Sequence, residues 1–233
     1  MRNLDKNMDL LNKMMIEMIK SVERSLEITM ELLEKDTFNK GLYGEGKYLE
    51  EEINDYELKI GEKAVETIAM YQPTAFDLRY IIGLIRMSIT VERIGDLCIN
   101  TLKTIKREFK DAKNLEKELV SITEMGEKVM EMYKIFITGY IEGEYKKGYI
   151  LLGLDDEIDR MKYENIKKIK EKIKENVECL ELGIENLLIS KNYERIADNI
   201  TNLGESLVYI YRGKDLRHKS FEEIEKYEKD IDS

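Results

Sequence analysis

Along the opening segment of the chain, apolar side chains return at three- and four-residue intervals. Leu4, Met8, Leu11, Met15, Ile19, Val22 and Leu26 fall on one face of a helix. The spacing predicts a helix from about Leu4 to Lys35, ended by the glycines at 41, 44 and 46. A second periodic stretch, Lys47 to Tyr71, must stop before Pro73, which disfavours helical backbone in the residue before it. A third starts at Thr74, a residue type that caps helix N-termini, and continues to about Lys110. After a turn at Asp111-Ala112-Lys113-Asn114 the pattern restarts over Leu115 to Glu144, Tyr149 to Asn176 and Glu178 to Arg212, with Gly213 placed to close the last helix. The expected fold is all-α. Six long helices with short connections should lie antiparallel, as two tandem three-helix bundles related by a pseudo-twofold. Residues 1–112 would form the first repeat, 113–213 the second and 214–233 a charged tail, either a short helix or disordered.

Composition agrees with helix: the chain has one proline and is rich in Glu, Lys, Leu, Ile and Met. Its 233 residues suffice for one large helical domain or two small ones without a disulfide or metal staple. A formal net charge of -10, with acids interleaved among the bases, argues against a nucleic-acid partner. No apolar run approaches the roughly 20 residues of a membrane span, and Met1-Arg2-Asn3-Leu4-Asp5 opens no signal-peptide core. A cytoplasmic location follows as the expectation, with membrane association only peripheral and through partners. Cys98 and Cys179 lie on periodic segments without C-x-x-C spacing and are read as reduced core residues. Met14, Met15, Met18 and Met30 are read as core filler. His218, the only histidine, falls in the polar tail, so no His-based triad can be assembled and no enzyme activity is expected.

The chemistry lies in a repeat. Glu92-Arg93-Ile94-Gly95-Asp96, with Asn100 beyond it, returns 102 residues later as Glu194-Arg195-Ile196-Ala197-Asp198 with Asn202. At 100° per residue, Glu92, Asp96 and Asn100 continue the line of Leu78, Ile82, Ile85 and Ile89, and Leu180, Ile184 and Leu187 lead likewise toward Glu194 and Asp198. The acids are therefore expected on or beside a packed face, where an uncompensated charge costs several kcal/mol. The preceding helix of each repeat carries a second pair one turn apart, Glu50 with Asn54 and Asp155 with Asp159. Facing across antiparallel helices, the pairs would gather up to four oxygen ligands with no cation from the chain between them. Such a set suits a hard or borderline ion, Fe, Mn or Mg more naturally than a structural Zn site. The candidate ligands are Glu50, Asn54, Glu92 and Asp96 in the first repeat, and Asp155, Asp159, Glu194 and Asp198 in the second. Gly95 and Ala197 keep a small residue between the acids, where a helix or an ion could approach.

Competing readings exist for these features. Acids make up 48 of 233 residues, so pairs at i,i+4 arise by chance roughly ten times. Lys191, three residues before Glu194, and the motif's own Arg93 and Arg195 could satisfy the acids in a salt-bridge network. Gly41 to Tyr48 imitates G-x-x-x-x-G-K, but Tyr48 replaces the Ser or Thr and the segment follows a helix, so an interhelical turn is expected. A ferritin-like metalloenzyme would need Glu-x-x-His, which is absent.

Gln72-Pro73-Thr74-Ala75-Phe76-Asp77-Leu78-Arg79, the two E-R-I-[GA]-D motifs and the ending Tyr209-Ile210-Tyr211-Arg212-Gly213-Lys214-Asp215-Leu216-Arg217-His218 closely resemble the PhoU family of phosphate-transport regulators. The resemblance spans nearly the whole chain in the family's order. It implies a cytosolic negative regulator of phosphate uptake and starvation signalling, often a homodimer, linking the ATP-binding subunit of the phosphate ABC transporter to a sensor histidine kinase. It also implies multinuclear metal clusters, iron in some members, with Zn, Mn or Mg as other occupants. The ligands carried over would be Glu50, Glu92 and Asp96 in one bundle, and Asp155, Asp159, Glu194 and Asp198 in the other. Asn54 stands where the second repeat has Asp159, and Leu97 stands where many relatives have a polar residue or His. The second cluster is therefore expected to be the stronger. The alternative is a metal-independent helical adaptor whose acids form structural salt bridges.

Overall fold

The computed structural model describes residues 3–34, 38–111 and 120–216. They form six α-helices: α1 (Asn3–Glu34), α2 (Lys40–Tyr71), α3 (Ala75–Asp111), α4 (Ile122–Glu142), α5 (Lys146–Glu175) and α6 (Leu180–Arg212), with a 3-10 turn at Val177–Cys179 leading into α6. No strand occurs among the described residues. Of the predicted turn at Asp111-Ala112-Lys113-Asn114, Asp111 is the last residue of α3 and the rest lies outside them, as does the predicted tail from 217 on, with His218.

Within each half the three helices pack on one another, and the halves join along α3 against α6 and α1 against α4. α1 is the inner helix of its half: Leu11, Met15, Met18, Val22, Ile28 and Leu32 are completely buried, as the first periodic pattern requires. Its buried hydroxyls are satisfied within the helix, Ser25 Oγ donating to the Ser21 carbonyl (3.0 Å) and Thr29 Oγ1 to that of Leu26 (2.7 Å). Both cysteines are buried and unpaired. One apolar core runs through both halves and takes residues from all six helices. Buried tyrosines stitch the seam: Tyr133 Oη donates to the Ile19 carbonyl (3.0 Å), and Tyr193 Oη lies 3.0 Å from Thr29 Oγ1. The two sequence repeats therefore share one core.

Two expectations are corrected. First, the glycines at 41, 44 and 46 do not end the first helix; they lie in the opening turns of α2. Asn39 caps that helix, its Oδ1 accepting from the backbone N–H of Gly41 (2.9 Å) and Leu42 (3.2 Å). Packing overrides the weak helix propensity, because a Cβ at buried Gly46 would run into Leu102 of α3. The G-x-x-x-x-G-K imitation is thus helix rather than interhelical turn. Second, the line from Leu78 to Ile89 is not the face of α3 that enters the core. That face carries Ile81, Leu84, Met87, Val91, Ile94 and Cys98, all at most 1 % exposed, roughly 150° round the helix from it, while Ile89 is 38 % exposed. In α6, Leu180, Ile184 and Leu187 are exposed in the same way. The acidic rows accordingly run along the rim of the core.

Candidate functional site

The acids sit where that rim on α3 meets α2, and where that of α6 meets α5. In the first cluster, Glu50 and Asn54 come from α2 and Glu92 and Asp96 from α3. Asn54 Nδ2 donates to Glu50 Oε1 at 3.2 Å, while its Oδ1 is buried without a hydrogen-bond partner. Glu92 is half-buried, and its carboxyl is pushed above the usual range first by loss of solvent and then by the fields of Asp96, Glu57 and Glu50, with Arg93 opposing. Asp96 is exposed at the outer end of the row. The residue between the two α3 acids, Gly95, is occupied by a helix rather than open to an ion: a Cβ there would lie 3.0 Å from Ile53 Cδ1 of α2.

The second cluster gathers Asp155 and Asp159 from α5 with Glu194 and Asp198 from α6. Asp155 is pushed up to about 6, from 3.8, by burial and by Asp198, Asp159, Asp156 and Glu194 around it. Asp198 rises for the same causes, burial and then Glu194 and Asp159, against the pull of Lys162 and Arg195. Here the expectation of no intervening cation fails. Lys162 of α5 places Nζ 2.6 Å from Glu194 Oε1 and 3.6 Å from Asp159 Oδ1. The partner of Glu194 is thus a lysine across the groove instead of Lys191 on its own helix.

Sequence reasoning missed two members of these clusters, Glu57 and Lys162. Each stands one turn beyond its pair, completing the rows 50, 54, 57 and 155, 159, 162 on one helix face. The signal was present: α5 repeats α2 at an offset of 105 residues, which sets Glu57 against Lys162. Two other acids of these segments are engaged elsewhere, Glu52 accepting from Ser21 Oγ at 2.7 Å and Glu157 lying 3.8 Å from Lys128. Asn100 and Asn202 are exposed, and Arg93 lines a cleft of about 340 Å³ with Arg86, Thr90, Asn202 and Tyr209.

As the side chains stand, no three acids among the described residues converge on a common point at chelating distance. The donor set of the first cluster nevertheless suits a cation. The orphaned Asn54 Oδ1 is a buried acceptor lacking a donor, on a side chain tied through Nδ2 to Glu50 of the same helix face. No described helix is long and apolar enough to cross a membrane.

Comparison with known proteins bears on the family and the fold. A family model described as the PhoU domain matches twice, over residues 15–105 and 122–207. A phosphate-specific transport system accessory protein PhoU homolog 1 from Thermotoga maritima is 29 % identical over 216 residues, covering 92 % of this chain and 91 % of that protein. A PhoU homolog from Clostridium acetobutylicum is 29 % identical over 212 residues, 90 % of this chain and 94 % of its own. Among solved structures, PhoU from Pseudomonas aeruginosa superposes with a TM-score of 0.84 at 21 % identity, over 91 % of this chain and all of that one. PhoU from Streptococcus pneumoniae gives 0.79 at 23 % identity over 91 % and 99 %. At these identities the structures attest the fold.

Proposed function

The chain belongs to the PhoU family, and from that membership we propose that it is an accessory regulator of a phosphate-specific transport system. It restrains uptake and starvation signalling when phosphate is plentiful. One observation carries the reading: the PhoU domain model covers both halves, and relatives named as transport accessory proteins align over nine-tenths of both lengths. The finer reading is a cytoplasmic adaptor, as a homodimer, between the transporter's ATP-binding subunit and a sensor histidine kinase. Exposed apolar side chains such as Leu58 and Val65, two turns apart on α2, support a docking role. The test is co-purification of the full chain with each partner, together with deletion of its gene. Binding to both, with raised uptake and starvation-gene expression in phosphate-rich medium after deletion, is expected. Binding to neither, with uptake unchanged, would remove the adaptor reading.

The carboxylate clusters serve in this proposal as metal centres, most naturally for iron, with Mn, Mg or Zn as other occupants. Glu50, Asn54, Glu92 and Asp96 would hold the ion in the first repeat, and Asp155, Asp159, Glu194 and Asp198 in the second. A bound metal would supply positive charge that neutralises the crowded acids. The chain's own contribution is rigidity: each cluster spans two helices, so its state of charge sets how closely α2 lies to α3 and α5 to α6. Metal content of protein purified without chelators should fall in Glu92→Ala/Asp96→Ala and in Glu194→Ala/Asp198→Ala. A second reading, a metal-independent adaptor with structural salt bridges, is favoured specifically by Lys162 against Glu194. Folding and partner binding unchanged by chelation would select it.

A further inference from the structure

The two repeats do not treat their carboxylates alike. The offset that carries Glu50 onto Asp155 and Asn54 onto Asp159 carries an acid, Glu57, onto a base, Lys162. In the second cluster Lys162 already supplies a positive charge, hydrogen-bonded to Glu194 at 2.6 Å and 3.6 Å from Asp159. In the first cluster the same place on α2, one turn beyond Asn54, carries the carboxylate of Glu57, and Asn54 Oδ1 lacks a donor. Four acids face one ammonium in the second repeat. Four acids and an unsatisfied amide oxygen face none from α2 in the first; the motif arginines, Arg93 and Arg195, are exposed in both repeats and do not distinguish them.

We infer that Lys162 is the built-in cation of the second cluster, and that the first repeat, with Glu57 in its place, holds the tighter divalent-cation centre. This rests on the metal reading above and reverses the order suggested by the motif alone, where Asn54 counted against the first site. The physical reason is competition. A metal ion entering the second cluster must displace an ammonium from Glu194 and Asp159 before it can take their oxygens, whereas an ion entering the first relieves repulsion and satisfies an orphaned acceptor. A compact point charge on a flexible stem can fill one such place but leaves no ligand for an ion.

The experiment is titration of the full chain with Mn²⁺ after removal of metal by chelation. Bound ion is counted by plasma mass spectrometry, and free ion is followed by electron paramagnetic resonance. Wild type should fill one centre well before the other, and Glu57→Lys should lose the tighter one. Lys162→Met should tighten the weaker centre by roughly tenfold or more, Lys162→Gln should do the same, and Lys162→Arg should bind as wild type does. Metal-free melting curves provide a readout independent of loading: Lys162→Met should melt below wild type and Lys162→Arg beside it. Mn²⁺ binding by Lys162→Met and Lys162→Gln indistinguishable from wild type would overturn the inference while leaving the metal reading in place. No uptake by wild type or any variant would overturn both.

Discussion

At the scale of single residues, the burial and crowding of Asp155 have a consequence for pH. A carboxyl whose folded-state pKa is raised from 3.8 to about 6 holds its proton more tightly in the folded chain than in the unfolded one. Its contribution is therefore fully favourable below the unfolded value and is lost as pH rises through about 6. Metal-free wild type should gain melting temperature, relative to Asp155→Asn, as the pH is lowered from 7.5 toward 5.5. A difference that does not change with pH would show that the group is not crowded. A second residue, Tyr193, is completely buried with its hydroxyl 3.0 Å from Thr29 Oγ1. Tyr193→Phe removes that bond while Thr29 keeps its bond to the Leu26 carbonyl, so a loss of about 1 kcal/mol is expected in urea unfolding. Legibility at this scale was uneven. Glu92, Asp96, Glu194 and Asp198 could be found because the motif repeats in sequence. Glu57 and Lys162 could be found only by extending each row a further turn. That Lys162 rather than Lys191 meets Glu194 depends on how α5 is rotated against α6, which periodicity within one helix does not encode.

At the scale of elements, helix identity was legible and helix starts were not. All six helices lie where the apolar periodicity puts them, and Gly213 ends α6 in the left-handed region at φ 68°. The exceptions are α2, which begins at Lys40 instead of Lys47 because Asn39 caps it and Leu102 of α3 packs on its Gly46, and α4, which begins at Ile122 after non-helical Val120 and Ser121 instead of at Leu115. Asn39→Ala, which removes two backbone bonds, should cost about 1 kcal/mol and fray the glycine-containing turns, visible as faster amide exchange there. Helix separation is set by small residues. A Cβ on Gly148 would fall on the Gly204 carbonyl oxygen, so Gly148→Ala must push α5 away from α6. A loss of about 1–3 kcal/mol is expected in the unfolding midpoint, and an unchanged midpoint would mean that the two backbones are not in contact. The stripe drawn from Leu78 to Ile89 failed for a related reason. A helix that is apolar over more than one stripe does not disclose which stripe its neighbours cover.

At the scale of the whole molecule, the repeats and the folding unit differ. One core runs through all six helices, and buried bonds such as Tyr133 to Ile19 cross between the halves. Calorimetry of the full chain should therefore show one cooperative transition with equal calorimetric and van't Hoff enthalpies, and two separable transitions would mean that the halves are energetically independent. The sequence by itself determined the helical class, the tandem repeat, the family and the pairs of acids one turn apart. These are properties of spacing along a single helix or of identity between distant segments, so they need no knowledge of how helices meet. Only the tertiary structure decided that the halves share a core, that the acids run along its rim, and that a lysine is paired into one cluster while the other holds an unsatisfied amide oxygen. Each of these depends on the rotation and separation of neighbouring helices. Those quantities are fixed by side chains contributed from far along the chain, through contacts such as Ile53 against Gly95 and Leu102 against Gly46.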